Sequence, residues 1–125
     1  MNINFLAILL FFIMFIYSGF TKIFDFNKKV NILKTKTNLP LIINQFGMIC
    51  VIILEIFGSL ILILDEYYPN LISKKIAKFI YVIYMMFMIV VTLLYHPPGK
   101  TIIPFLSNLT TFGGFLYIYN QKYLQ

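Results

Sequence analysis

Four long apolar runs, separated by short polar segments, dominate this chain. They cover residues 3–21, 41–64, 78–95 and 102–119. A helix rises about 1.5 Å per residue, so runs of this length can cross a hydrocarbon core roughly 30 Å thick. The pattern predicts an all-α integral membrane protein, in which four spans form a helix bundle and residues 1–125 make one transmembrane domain.

The first run also resembles a secretory signal peptide in its position. It has no basic residue ahead of the apolar stretch, and that stretch is longer than the apolar core of a typical signal peptide. Residues 17–20 (YSGF) make a weak cleavage site. We therefore expect the first run to be retained as a span.

The polar segment between the first two runs predicts a short helix. Residues 22–38 hold five lysines and one aspartate. Ile23, Phe26, Val30 and Leu33 recur at helical spacing, and most of the lysines fall elsewhere. This pattern predicts an amphipathic helix in the membrane interface, and a solvated loop is the alternative.

Composition and charge narrow the class of protein. The chain is 61% apolar and 11% charged, which excludes an ordinary soluble domain. Its net charge of +6 comes from ten lysines beside the runs, without the stacking aromatic surface of a nucleic-acid-binding protein. Six lysines lie on one side of the predicted membrane and four on the other, so the orientation and the identity of the membrane stay open.

Glu55 is the only charged residue in the second run. An ionised carboxylate in a hydrocarbon core costs several kcal/mol, so we expect Glu55 to face the protein interior and to find a partner there. Small residues on the same helix face permit close approach of another helix. That face contains Asn44, Gly47, Val51, Gly58 and Ser59.

Other polar residues gather on one side of the membrane if the chain crosses it up and down. They predict a polar vestibule with Glu55 at its floor. The alternative is that each polar group only satisfies a neighbour and fixes helix register. The candidate site consists of Glu55, Lys22, Asn44, Tyr84, Thr92, His96, Asn108 and Thr111.

Signatures of catalysis and of metal binding are missing from the sequence. His96 and Cys50 lie on different segments and supply too few ligands for a metal ion. No nucleotide-binding loop, catalytic serine motif or pair of catalytic acids occurs. His96 is interpreted as an interfacial residue, with pairing to Glu55 or Lys22, or a proton relay, as alternatives. The isolated chain is therefore not expected to be an enzyme, although the sequence leaves this open.

Several short motifs together resemble the DoxX family. Residues 17–26 (YSGFTKIFDF) are similar to the end of that family's first helix, where a glycine is followed three positions later by lysine and then by an aspartate. Residues 54–59 (LEIFGS) resemble its second-helix Glu and Gly pattern. His96, residues 107–109 and residues 113–114 also fit. One departure is that residues 1–10 lack the arginine which the family often carries there.

The resemblance implies a four-helix membrane bundle associated with quinone-linked oxidoreductase complexes or with the assembly of other membrane proteins. Three functions therefore stay open: a non-catalytic subunit or assembly factor; a quinone-contacting subunit using Glu55, His96 and the tyrosines of the third run; and a small transporter or channel. The residues themselves identify no cofactor, and quinone enters only as a candidate ligand.

The expected partners are the lipid bilayer and another membrane protein, and nucleic acid is excluded. Small residues on the predicted spans suit helix–helix packing, including packing against a second copy of the chain. These residues are Gly19, Gly47, Gly58, Ser59, Gly113 and Gly114.

Overall fold

The computed structural model describes residues 2–97, 99 and 101–124 of the chain. Its helices are α1 (Ile3–Phe24), α2 (Phe26–Thr37), α3 (Leu41–Ile53), α4 (Ser59–Tyr67), α5 (Lys74–Tyr95) and α6 (Ile102–Tyr123). A π-helical turn, Leu54–Gly58, joins α3 to α4 without a break. We call the continuous helix Leu41–Tyr67 the second span.

Local sequence explains where the first helices begin and end. The side chain of Asn2 accepts a hydrogen bond of 2.7 Å from the backbone N–H of Asn4, which caps the start of α1. Asp25 bends the chain between α1 and α2, yet its N–H still donates to the carbonyl of Thr21. α2 ends at Thr37 and is followed by Asn38, whose φ of 58° is left-handed, as is common after the last turn of a helix.

Met1–Ser73 forms a compact unit in which α1 runs antiparallel to the second span. The rings of Phe5 and Tyr67 meet at one end, 5.0 Å apart, and Gly19 faces Ile56 of the π turn. α1 packs against the π turn, α4 and α3, whereas α2 packs mainly against α3. The most deeply buried apolar side chains of this unit are Phe12, Val30 and Leu62.

Lys74–Gln125 forms a second compact unit, made of α5 packed against α6. Its centre is aromatic: the rings of Tyr84 and Phe115 stack with centroids 5.0 Å apart, and Tyr81 meets Phe115 edge-on at 6.5 Å. All residues of α6 are described, and Phe115 is the only one that is buried. α5, by contrast, buries five residues.

The structure confirms an all-helical protein with four long apolar helices and a short helix between the first two spans. The helices are longer than the apolar runs, because backbone hydrogen bonds continue past the last apolar residue: the second span reaches Tyr67 and α5 begins at Lys74. Residues 22–38 contain the helix α2 rather than an open loop. Its position at the membrane surface, the four-helix bundle and the single domain stay predictions.

Candidate functional site

Lys22 and Glu55 form an ion pair between α1 and the π turn. The Lys22 Nζ atom lies 2.8 Å from Glu55 Oε1. The Glu55 side chain is only 4% exposed and that of Lys22 is 20% exposed, so the pair is largely shielded from its surroundings. Two opposite charges this close neutralise each other, so the energetic penalty of placing Glu55 inside an apolar helix is reduced.

Gly19 allows the two helices to approach closely enough for this pair. A methyl group at position 19 would lie 2.6 Å from Ile56 Cγ1 and 3.3 Å from Glu55 Cβ. Distances this short leave no room for a side chain, so only glycine permits the observed contact between α1 and the π turn. Lys22 follows Gly19 by three residues, on the same face of α1, and therefore reaches the carboxylate.

Two further polar side chains act on the Glu55 carboxylate. Ser18 lies one turn before Lys22, accepts a hydrogen bond from Lys22 Nζ, and hydrogen-bonds to Glu55. Lys29 of α2 is close enough for its charge to act on Glu55. The carboxylate thus sits in a positive environment supplied by both α1 and α2.

The π turn sets the direction in which this part of the second span faces. In Leu54–Gly58 the backbone hydrogen bonds span five residues, where those of an α-helix span four, and such turns often occur at functional sites. Glu55 and Ile56 are both buried, followed by Gly58 and Ser59. These neighbouring pairs present a wide buried face to α1.

Asn44 makes three side-chain hydrogen bonds at the turn between α2 and α3. Its side-chain nitrogen donates to the carbonyls of Leu39 and Pro40 at 2.9 and 3.0 Å. Its side-chain oxygen accepts from the Thr37 hydroxyl at 2.7 Å. The buried Asn44 amide therefore fixes the turn between α2 and α3, and it does not contact the Lys22–Glu55 pair.

The remaining candidates belong to the second unit. The hydroxyls of Thr92 and Thr111 donate to the carbonyls of Met88 and Ser107, at 2.6 and 3.2 Å. Tyr84 is fully buried against Phe115, and the backbone N–H of His96 donates to Thr92 at the end of α5. None of these bonds joins two candidates through their side chains.

Asn108 lies beside an apolar groove between α5 and α6. Its side-chain nitrogen is buried and has no hydrogen-bond partner among the described residues. The groove has a volume of about 220 Å³. It is lined by Met88, Ile89, Thr92, Leu93, Phe105, Asn108, Leu109 and Phe112.

The predicted packing residues differ in what surrounds them. Gly19, Gly58 and Ser59 are buried, whereas a side chain at Gly47 or Gly113 would meet no neighbouring atom within 4 Å. Gly114 is half-buried. The α1 contact therefore uses Gly19, Gly58 and Ser59, and two other glycines face open space.

Sequence reasoning overlooked Ser18, Lys29 and Asp65. Asp65 directly follows the second apolar run, but it lies within α4 and is 8% exposed. Its spacing from Gly58 and Leu62, seven and three residues, places it on the same helix face and could have revealed its burial. Ser18 could have been found from its position four residues before Lys22.

The described residues contain no cluster of three or more His, Cys, Asp or Glu side chains. They contain four helices that are long enough and apolar enough to cross a membrane. One of these helices carries Glu55, whose charge is neutralised by Lys22 of another. These features define a multi-pass integral membrane protein.

The chain belongs to the DoxX family, whose family model matches residues 5–97. The matched region includes the Lys22–Glu55 pair and ends two residues after α5, so α6 lies outside it. No curated protein and no solved structure matches the chain.

Proposed function

We propose that this DoxX family protein is a non-catalytic subunit or assembly factor of a membrane complex, and that α6 binds the partner protein. The observation that carries the proposal is the exposure of α6. It buries one residue of 22, and it is the least apolar of the four candidate spans. A helix of that kind gains stability in a bilayer when another protein covers it.

One face of α6 has the residues that favour close packing of helices. Ser107, Thr110 and Gly113 are exposed and follow one another at three-residue intervals, and the exposed Tyr117 continues the same face. Small side chains let two helix backbones approach, so that van der Waals contacts become numerous. The Thr110 hydroxyl donates to the Leu106 carbonyl, so this face carries no unmet donor there and suits an apolar partner helix.

The Lys22–Glu55 pair supports a structural role for the first unit. Both charges are satisfied within the chain, by each other and by Ser18. A carboxylate enclosed in this way stabilises the contact between α1 and the second span and offers little access to a substrate.

The proposal is tested by purifying tagged protein in mild detergent and identifying co-purifying proteins by mass spectrometry. Gly113→Leu should remove the partner, because a leucine would fill the space that the partner helix needs. An overpacked contact costs about 1–3 kcal/mol, which lowers affinity about 5- to 150-fold.

Gly47→Leu is the matched control. It adds the same side chain at another glycine, on α3, which also has no neighbouring atom within 4 Å. Its co-purified partner should stay at the parent level, and both variants should elute as a single symmetric peak on size-exclusion chromatography, which shows that they remain folded. Equal loss in both variants, or no stable protein partner in the parent, would contradict binding through α6. If the captured partner is a second copy of this chain, the complex is a homo-oligomer.

A quinone-contacting subunit is the second candidate, favoured by the groove beside Asn108. A quinone has an apolar body and carbonyl oxygens, and the unpartnered Asn108 nitrogen could donate to such an oxygen. Solvent extraction of the same purified samples should then yield quinone from the parent and less from Asn108→Leu. Quinone at equal amounts in both would exclude this site.

A further inference from the structure

We infer that the exposed lysines of α2 bind the head groups of anionic phospholipids in the surrounding bilayer. We call Lys28, Lys34 and Lys36 the α2 lysine face; all three are exposed. This binding surface uses no residue of α6 and does not depend on the partner protein proposed above.

The five lysines between positions 22 and 38 fall into two groups, those that act on Glu55 and those that are exposed. Lys22 is paired with Glu55, and Lys29 is half-buried and acts on the same carboxylate. The three lysines of the α2 lysine face are exposed. The only acidic residue between positions 22 and 38 is Asp25, so a surplus of positive charge faces outward.

The packing of α2 fixes the direction of these lysines. Val30, at 1% exposure, holds α2 against its neighbours in the first unit. Lys28 precedes Val30 by two residues, which places it about 200° around the helix, on the opposite side. Lys36, six residues after Val30, lies about 120° around the helix from it, whereas Lys34, four residues after Val30, lies only about 40° from it and is exposed in the last turn. Lys28 and Lys36 are thus held outward by the same contact that anchors the helix.

Exposed apolar residues lie at both ends of α2. Phe24, just before the helix, is 81% exposed, and Ile42, in the first turn of α3, is 73% exposed. Ile23 and Leu39 are also exposed. A soluble phosphate compound or a nucleic acid would leave these side chains in water, whereas a phospholipid offers a phosphate to the lysines and acyl chains to the apolar residues. The occupant is therefore an anionic lipid.

The test uses tryptophan fluorescence in reconstituted vesicles. The chain contains no tryptophan, so Phe24→Trp introduces a single reporter at an exposed position beside α2. Vesicles contain phosphatidylcholine and phosphatidylglycerol in fixed proportion, with bromine, which quenches tryptophan, on the acyl chains of one lipid or the other. Quenching should be stronger when phosphatidylglycerol carries the bromine, since each lysine near the surface enriches anionic lipid by roughly fivefold at low salt.

Lys28→Gln/Lys34→Gln in the reporter background should weaken the preference for brominated phosphatidylglycerol, because two of the three exposed lysines lose their charge. Lys74→Gln/Lys75→Gln, at the start of α5, removes the same charge elsewhere and should leave the preference intact. Equal quenching by both lipids in the reporter protein would overturn the inference. A preference that the α2 substitutions leave undiminished, or that the α5 substitutions weaken equally, would overturn it as well. Circular dichroism of each reconstituted variant establishes that the helices are retained.

Discussion

Lys22 and Glu55 matter to the stability of the protein chiefly because either charge, left without the other, would destabilise the folded state. A single charge left in a low-dielectric environment carries a penalty of several kcal/mol. The pair itself gains much less, because both groups lose their hydration. Replacing both partners by apolar residues should therefore be milder than replacing either one.

A double-mutant cycle tests this reasoning. Lys22→Leu leaves the Glu55 carboxylate without its counter-charge and should lower the free energy of unfolding by about 3 kcal/mol. Lys22→Leu/Glu55→Leu should recover at least half of that loss. The helix signal, followed by circular dichroism while sodium dodecyl sulfate is added to dodecyl maltoside micelles, measures each unfolding transition.

Lys34→Leu provides the control for this cycle, since it removes an exposed lysine that lies outside the ion pair. It should shift the transition little. Additive losses from Lys22→Leu and Glu55→Leu would show that the two charges are not energetically coupled in the folded protein.

The two halves of the second span pack against different sets of helices in the first unit. α1 packs against the π turn, α4 and α3, whereas the start of the second span packs against α2. The chain bends at Asp25 after α1. α2 can therefore lie along α3, to which it is joined by the turn that Asn44 stabilises. α2 thus covers α3 more extensively than α1 does.

The contact between α1 and the π turn should be very sensitive to volume at one position. Gly19→Ala places a methyl group 2.6 Å from Ile56 Cγ1, so the helices must separate. We expect a loss of about 1–3 kcal/mol in the free energy of unfolding, measured in the same detergent titration.

Gly47→Ala is the comparison for Gly19→Ala, because a methyl group there meets no atom within 4 Å. Alanine should be neutral or slightly stabilising at position 47, since it is the better helix former. If Gly19→Ala were as stable as Gly47→Ala, the close approach of α1 would not contribute to stability.

Apolar periodicity was sufficient to predict the elements of the fold, because long uncharged runs have few ways to satisfy their backbone in a membrane. It could not identify the partner of Glu55. Lys22, Tyr84, Asn108 and others were all compatible with the spacing, and choosing among them requires the packing of helices distant in sequence. Asn44 shares a face with Glu55 in a regular helix, yet its amide binds the α2–α3 turn. The burial of Asp65 was missed because charge near a span end is usually solvated.

Four spans place both ends of the chain on the same side of the membrane. Epitope tags fused before residue 1 and after residue 125 should therefore be digested together when protease is added to one side of sealed vesicles. A tag in the connection between α1 and the second span should be protected under the same conditions. Digestion of only one terminal tag would rule out four spans.

The first unit contains two helices of unequal apolar length. Residues 3–21 of α1 rise about 28 Å, and residues 41–64 of the second span rise about 36 Å. A bilayer of uniform thickness cannot match both, so the second span must tilt or the lipid beside it must thicken. Hydrophobic mismatch of a few Å costs little, but it responds to acyl-chain length. The thickness of the host membrane should therefore influence the tilt of this unit, and membranes of different composition would hold it at different angles.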